Sequence, residues 1–386
     1  MRAGIVFLTR LSRLIVLIWS AVSVIGFVAS FGLCAEPQAA LPDGRYLYVA
    51  VPGIRNYLEY GGHGLLVFDI DHEHRFVRRI PTAGLDESGK PLNVKGICAS
   101  QRTYRLYIST LRHLQCLDLV TGKLLWQREY AGGCDRMAIS PDGLTIYLPS
   151  QEGPHWHAVD AATGDIVATL ITNSGAHNTI FGPGGNKVYL AGLKSSWLFV
   201  ADGRKHELIG KVGPFSAAIR PFTVDAEEKY VYVNVNDLLG FEVGDLQTGQ
   251  MLHRVEVQGF SKGPVKRHGC PSHGIGLSPD GRELWVTDAA NSRVHIFDAT
   301  VMPPRQVTSI ELRDQPGWIT FSIEGQYAYP STGDVIDVAT RRIVAHLTDE
   351  TGAGVQSEKM IPVYWQGGLP RQVGDQFGVG RTAAGH

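Results

Sequence analysis

Six residues recur at one register of the chain. Lys95, Asp135, His177, Arg220, His273 and Gly317 each stand five positions before Ser100, Ser140, Gly182, Asp225, Ser278 and Ser322. The next register holds Gly96, Arg136, Asn178, Pro221, Gly274 and Trp318. A position that only packed would repeat as a small or apolar residue, yet the first register is charged or histidine in five of six units. Lys95, Arg136, Arg220, His177 and His273 outnumber the single acid Asp135, so a ring of them favours an anionic or polyhydroxyl ligand. The expected ligand-binding residues are Lys95, Asp135, Arg136, His177, Asn178, Arg220, His273 and Trp318. A merely solvated channel mouth would show the same polarity.

Other combinations carry weaker chemistry. His268, Cys270 and His273, with His177, are metal-ligating types, but their spacing matches no structural zinc motif, so no metal is expected. Gly259-Phe260-Ser261-Lys262-Gly263 has the lettering of a hydrolase nucleophile elbow without the strand and helix that make one, so no catalytic residue is assigned. Nothing in the sequence calls for a cofactor.

The elements that must position the ring repeat as well. The aligned positions from Ser100 to Ser322 lie 40, 42, 43, 53 and 44 residues apart, a period of propeller blades. Each unit holds four short apolar runs broken by Gly, Pro, Asp or Thr-Gly, which reads as strands and tight turns. Second strands are expected at 46–51, 106–110, 146–150, 188–192, 231–235, 284–288 and 328–332. Third strands end on a turn-capping acid, Asp69, Asp118, Asp160, Asp202, Asp298 and Asp337, with Glu242 as the counterpart in the fifth unit. One first strand is missing at the front, because the chain enters at Pro42-Asp43-Gly44 directly before a second strand. The run from Lys359 to Trp365 should replace it and close the ring against Tyr46 to Val51. Pro362 is tolerable there if that strand is an edge. The fold expected is an all-β seven-bladed propeller over residues 42–365, followed by a C-terminal tail, 366–386, on the turn side away from the ring, either packed as a plug over the lower channel or disordered.

Leu277 to Asp298, LSPDGRELWVTDAANSRVHIFD, resembles the YVTN-type repeat of seven-bladed propellers, the group of YncE-like proteins. Asp118 to Tyr130, DLVTGKLLWQREY, is also similar to the repeat of pyrroloquinoline-quinone enzymes, once only. The resemblance implies an exported propeller that binds something at its upper face or channel. Lactonases and amine dehydrogenase heavy chains are other families on this ring, so fold alone does not fix chemistry.

Composition narrows the partners. Charged residues at 19% and a net charge of −1 give no basic field for nucleic acid. Arg2, Arg10 and Arg13 precede an uncharged apolar run from Leu14 to Leu33, the build of an export signal or N-terminal anchor over residues 1–35. The mature domain is expected in the periplasm or outside the cell, as a monomer, with a membrane link only through that segment. Cys98, Cys116, Cys134 and Cys270 remain after its removal. An intervening strand puts Cys98 and Cys116 about 9 to 10 Å apart, too far to bridge. A bridge between Cys134 and Cys270 would have to cross three blades.

Three long loops, Pro52 to Gly64, Pro81 to Lys95 and Gln258 to His273, fall on the same face as the ring. The expected function is an exported, non-catalytic propeller that binds a small molecule, a glycan or an envelope protein on that face. The alternative is a propeller enzyme, a lactonase or a heavy-chain-like subunit of a quinone-linked dehydrogenase.

Overall fold

A computed structural model describes residues 39–81, 83–264 and 267–380; residues 1–35, expected to be an export signal or anchor, lie outside them. The chain forms seven antiparallel sheets, each one propeller blade. Blades 2 to 7 are four-stranded and occupy residues 94–129, 138–171, 176–212, 219–256, 275–311 and 319–346 in order. Blade 1 takes Gly44–Val51, Gly64–Asp69 and Arg75–Ile80 from the front of the chain and Met360–Gln366 from the back. The two ends pair antiparallel, Tyr48 opposite Ile361 and Tyr46 opposite Val363, so the ring is closed as the missing first strand requires.

Blade faces pack on one another, which is why second strands such as Tyr230–Val235 are buried at consecutive positions rather than at alternate ones. Outer strands such as Met251–Glu256 alternate in exposure instead. A repeat within the second strands links neighbouring blades: Tyr48, Tyr107, Tyr147, Tyr189, Tyr232, Trp285 and Tyr329 occupy one register, and all are buried. Two of the hydroxyls reach backbone carbonyls of the next blade, Tyr107 at Ala161 at 2.8 Å and Tyr147 at Asp202 at 3.2 Å, while the Tyr48 hydroxyl is buried without a partner among the described residues. A buried phenol needs such a partner.

The turn-capping acids hold their places with one correction. Asp118, Asp160, Asp202, Asp298 and Asp337 each accept from a backbone N–H two or three residues on. In blade 5 this role belongs to Asp245, which accepts from Gln247 N and Thr248 N at 2.7 and 2.8 Å. Glu242 is instead fully buried and bonded to Arg254 and to Ser216 N. The third strand of that blade runs three residues beyond Glu242, to Asp245.

The tail also departs from expectation. Leu369–Val373 adds a fifth strand inside Met360–Gln366, so the closing strand is not an edge. Pro362 pairs with Leu47 on one side and on the other stands just past Val363, the last residue paired with the fifth strand, with its carbonyl accepting from Gly374 N at 2.8 Å. Residues 374–380 then lie in the channel rather than away from the ring. Gln376 accepts from Ile97 N at 3.1 Å and donates to the Met137 carbonyl at 2.9 Å, while Gly378 O accepts from Thr223 Oγ1 and Leu277 N. The segment replaces water against four inner strands that carry otherwise open backbone edges. A crevice of about 280 Å³ remains between it and the inner strands of blades 2 to 4.

Ring closure carries a titratable contact. His74 of blade 1 is buried and bonded to the Tyr329 hydroxyl of blade 7 at 3.0 Å. Burial lowers its pKa from 6.5 to about 4. The unfolded chain therefore takes up a proton below pH 6.5 that the folded ring refuses until about pH 4, so stability falls with pH across that window and is flat above it. Urea midpoints at pH 7 and 4.5 should differ less in His74→Asn than in the wild type; an equal difference would remove His74 as a source of acid sensitivity.

Candidate functional site

The inner strands of successive blades start at the upper mouth, so the residues just before or at each start converge on the channel axis. Lys95 Nζ lies 3.3 Å from Asp135 Oδ1, and His177 Nδ1 lies 2.6 Å from Asp135 Oδ2. Three adjacent blades thus place one carboxylate between a cation and an imidazole. Arg136 crosses the channel from blade 3 to blade 7, with its guanidinium carbon 3.5 Å above the Trp318 ring. Its Nη2 donates to Glu358 Oε2 at 2.8 Å, and Lys359 Nζ reaches the same oxygen at 2.9 Å. On the other oxygen, His268 Nδ1 lies 3.0 Å from Glu358 Oε1.

The eight expected residues therefore divide. Lys95, Asp135, Arg136 and His177 form a connected group, and Asn178 joins it through a backbone bridge to Arg136. His273 stands beside His268, ring centroids 5.0 Å apart, and its Nδ1 meets the Gly317 carbonyl at 2.9 Å. Trp318 is the floor rather than a free contact surface: Arg136 covers one face, its Nε1 donates to the Gln376 carbonyl at 2.5 Å, and Phe377 packs against it. Arg220 stands apart, its Nε donating to Asn236 Oδ1 at 2.6 Å.

Two residues escaped the sequence reading, Glu358 and Lys359, and the signal for them exists. In blades 6 and 7 the first-register residues His273 and Gly317 stand two positions before the first strand begins, at Ile275 and Ile319. Glu358 stands two before Met360, so Glu358 and Lys359 are the seventh members of the two registers. They add a second carboxylate and another cation to the ring.

The electrostatics follow from burial opposed by pairing. Burial raises the Glu358 pKa, but Lys359, the hydrogen bond from His268 and Arg136 outweigh it and hold it well below the ordinary carboxylate value. Asp135 shows the same contest and is lowered, with His177 and Lys95 as the main groups opposing burial. Burial pushes Lys359 down to about 7 despite Glu358. Burial also lowers His177 and His273, which leaves both imidazoles neutral near pH 7. Neutral His177 donates Nδ1–H to Asp135, so its Nε2 carries the lone pair.

Several polar atoms at the mouth are buried without a hydrogen-bond partner among the described residues: Arg136 Nη1, Asn178 Oδ1 and Nδ2, and His268 Nε2. Each such group costs about 1 to 3 kcal/mol if nothing meets it. The long loop from Gln258 is tied over the mouth by Arg267, which donates to Tyr60 Oη at 2.8 Å and to Asp314 Oδ2 at 2.7 Å. Cys270 belongs to this loop but is not near an imidazole donor set; its thiol donates to the Ser272 carbonyl at 3.1 Å. The four described cysteines are free and buried, so no bridge joins Cys134 to Cys270. The Gly259 to Gly263 pentapeptide lies in loop, with no helix behind Ser261.

The fold and the mouth define a seven-bladed β-propeller with a plugged base and a charged, histidine-bearing upper channel. No family model matches the chain, and no curated protein matches it. Among solved structures, the Kuenenia stuttgartiensis hydrazine synthase is similar over 64% of this chain and 96% of that chain, at 13% identity and a TM-score of 0.45. The propeller class rests on the strand pairings themselves.

Proposed function

We propose that this propeller is an exported binding protein of the YVTN-repeat kind that takes a small hydroxy acid at its upper mouth. The observation that carries the reading is the set of unmet buried atoms: Arg136 Nη1 and Asn178 Nδ2 offer donors to a carboxylate, and Asn178 Oδ1 offers an acceptor to a hydroxyl. Lys95 and Lys359 add positive charge around them. His177 Nε2 adds a second acceptor for a hydroxyl. Export is supported by the apolar N-terminal run from Leu14 to Leu33 behind three arginines.

Calorimetric titration with gluconate, galacturonate and glucose tests this. The two acids should bind and glucose should not. Arg136→Ala should weaken the acids about ten- to a hundredfold, the range of a charge-assisted hydrogen bond. Equal binding of glucose, or unchanged binding by Arg136→Ala, would contradict the reading.

A specific pair supports a second function. Asp135 holds the neutral His177 by Nδ1 with Nε2 free, the arrangement of a general base and its orienting acid, beside cations that could steady an oxyanion. Water activated there would open a lactone to a hydroxy acid, the same ligand class. Hydrolysis of gluconolactone by purified protein, abolished in His177→Ala while gluconate binding falls by no more than the loss of one hydroxyl contact, would favour the enzyme over the binding protein.

A further inference from the structure

We propose a site for a divalent transition-metal ion at the mouth, held by His268, His273 and Glu358. The three side chains each bring a ligand atom into a cluster whose members all lie within 4.8 Å of one another. Metal bonds of about 2.0 to 2.2 Å put tetrahedral donors about 3.3 to 3.6 Å apart, so side-chain rotations must draw the cluster in by up to about 1.5 Å.

The tautomers are already set for ligation. His273 Nδ1 donates to the Gly317 carbonyl at 2.9 Å, and His268 Nδ1 donates to Glu358 Oε1 at 3.0 Å. Both rings therefore turn an Nε2 lone pair outward from their hydrogen bond, and they sit with centroids 5.0 Å apart and planes tilted by 34°. Metal-bound histidines are held through the other nitrogen by such a carbonyl, as His273 is, while Glu358 has to exchange its bond to His268 Nδ1 for a bond to the ion. The His268 side chain is 5% exposed and its Nε2 has no partner among the described residues. An unmet lone pair at that depth is the independent sign that something is missing from the cluster.

Gly317 keeps the space open. A Cβ there would lie 2.4 Å from His268 Nε2 and 2.6 Å from Glu358 Oε1, so any other residue must push both away. In the ring register this is the one position of six that carries no side chain.

Charge selects the ion. Arg136 and Lys359 already contact Glu358, and both repel a cation. An ion bound by carboxylate oxygen alone, such as Ca²⁺ or Mg²⁺, has too few acids here to overcome that. Zn²⁺ or Co²⁺ gains bonds from two imidazole nitrogens. The inference goes beyond the hydroxy-acid reading, uses other donor atoms, and is tested with metal alone.

Metal-free protein titrated with Co²⁺ should develop visible d–d absorption saturating at one equivalent, and Zn²⁺ should displace it. Ca²⁺ should give no calorimetric heat. His268→Ala and His273→Ala should each weaken Co²⁺ at least about a hundredfold, and Gly317→Ala should do so with both imidazoles kept. Should a variant fold poorly, the Co²⁺-loaded wild type decides: its proton spectrum should show paramagnetically shifted N–H signals from two imidazoles. No Co²⁺ absorption in the wild type, no shifted imidazole signal, or equal binding of Ca²⁺ would overturn the site. Loss of metal binding with gluconate binding intact would leave the hydroxy-acid reading standing.

Discussion

Glu358→Ala is expected to destabilise the protein by about 3 to 5 kcal/mol, more than any other single change at the mouth. The carboxylate is buried and meets Arg136, Lys359 and His268 at once. Its removal leaves a guanidinium and an ammonium buried near one another with only Asp135, itself paired to Lys95 and His177, as counter-charge, a state far worse than an apolar replacement of the whole group. Lys359 should respond by losing its proton more readily still. Combining Glu358→Leu with Lys359→Met should recover part of the loss, because one of the stranded charges is gone. Urea unfolding followed by tryptophan fluorescence measures both. A cost under about 1 kcal/mol for Glu358→Ala would show that water reaches the cluster freely and that the pairing is a surface effect.

Phe377→Ala should cost about 3 to 5 kcal/mol, the usual range for a buried phenylalanine. Phe377 is 3% exposed, belongs to a core cluster with Trp318, Ile219 and Phe222, and lies 5.7 Å from the Trp318 ring. The effect should reach the mouth as well. Trp318 carries Arg136 on one face and is anchored beneath by the Gln376 carbonyl, so loosening the plug frees the guanidinium that faces the ligand. Weaker gluconate binding should accompany the lower stability. Full stability after Phe377→Ala would mean that the segment at 374–380 rests in the channel without supporting it.

The ring was legible because its evidence repeats. Pro-Asp-Gly turns and the capping aspartates recur at a fixed spacing, and every copy supports the others. The closing strand was legible by counting, since a propeller with one missing first strand must find it elsewhere. The two acidic and basic residues at that closure were harder to see because the strand lies at the far end of the chain, outside the run of turns that set the alignment. Glu242 misled because it is an acid near the right place; only the register against Tyr230 shows that Asp245 caps the turn. A plug was one of two outcomes open for the tail, and its seating was not legible because Gly374 to Gly380 reads as turn-former, while Gln376 and Gly378 bond to residues of four blades. Separation of Arg220 from its register-mates depends on Asn236, a partner that no periodicity announces.

The central claim is that the upper mouth is built to receive an acid bearing hydroxyls. A crystal structure of the wild type soaked in gluconate tests it most directly. The account places a carboxylate oxygen within hydrogen-bond distance of Arg136 Nη1 and a ligand hydroxyl on Asn178 Oδ1. Gluconate bound elsewhere, or a mouth that holds only water while gluconate saturates the crystal, would contradict it.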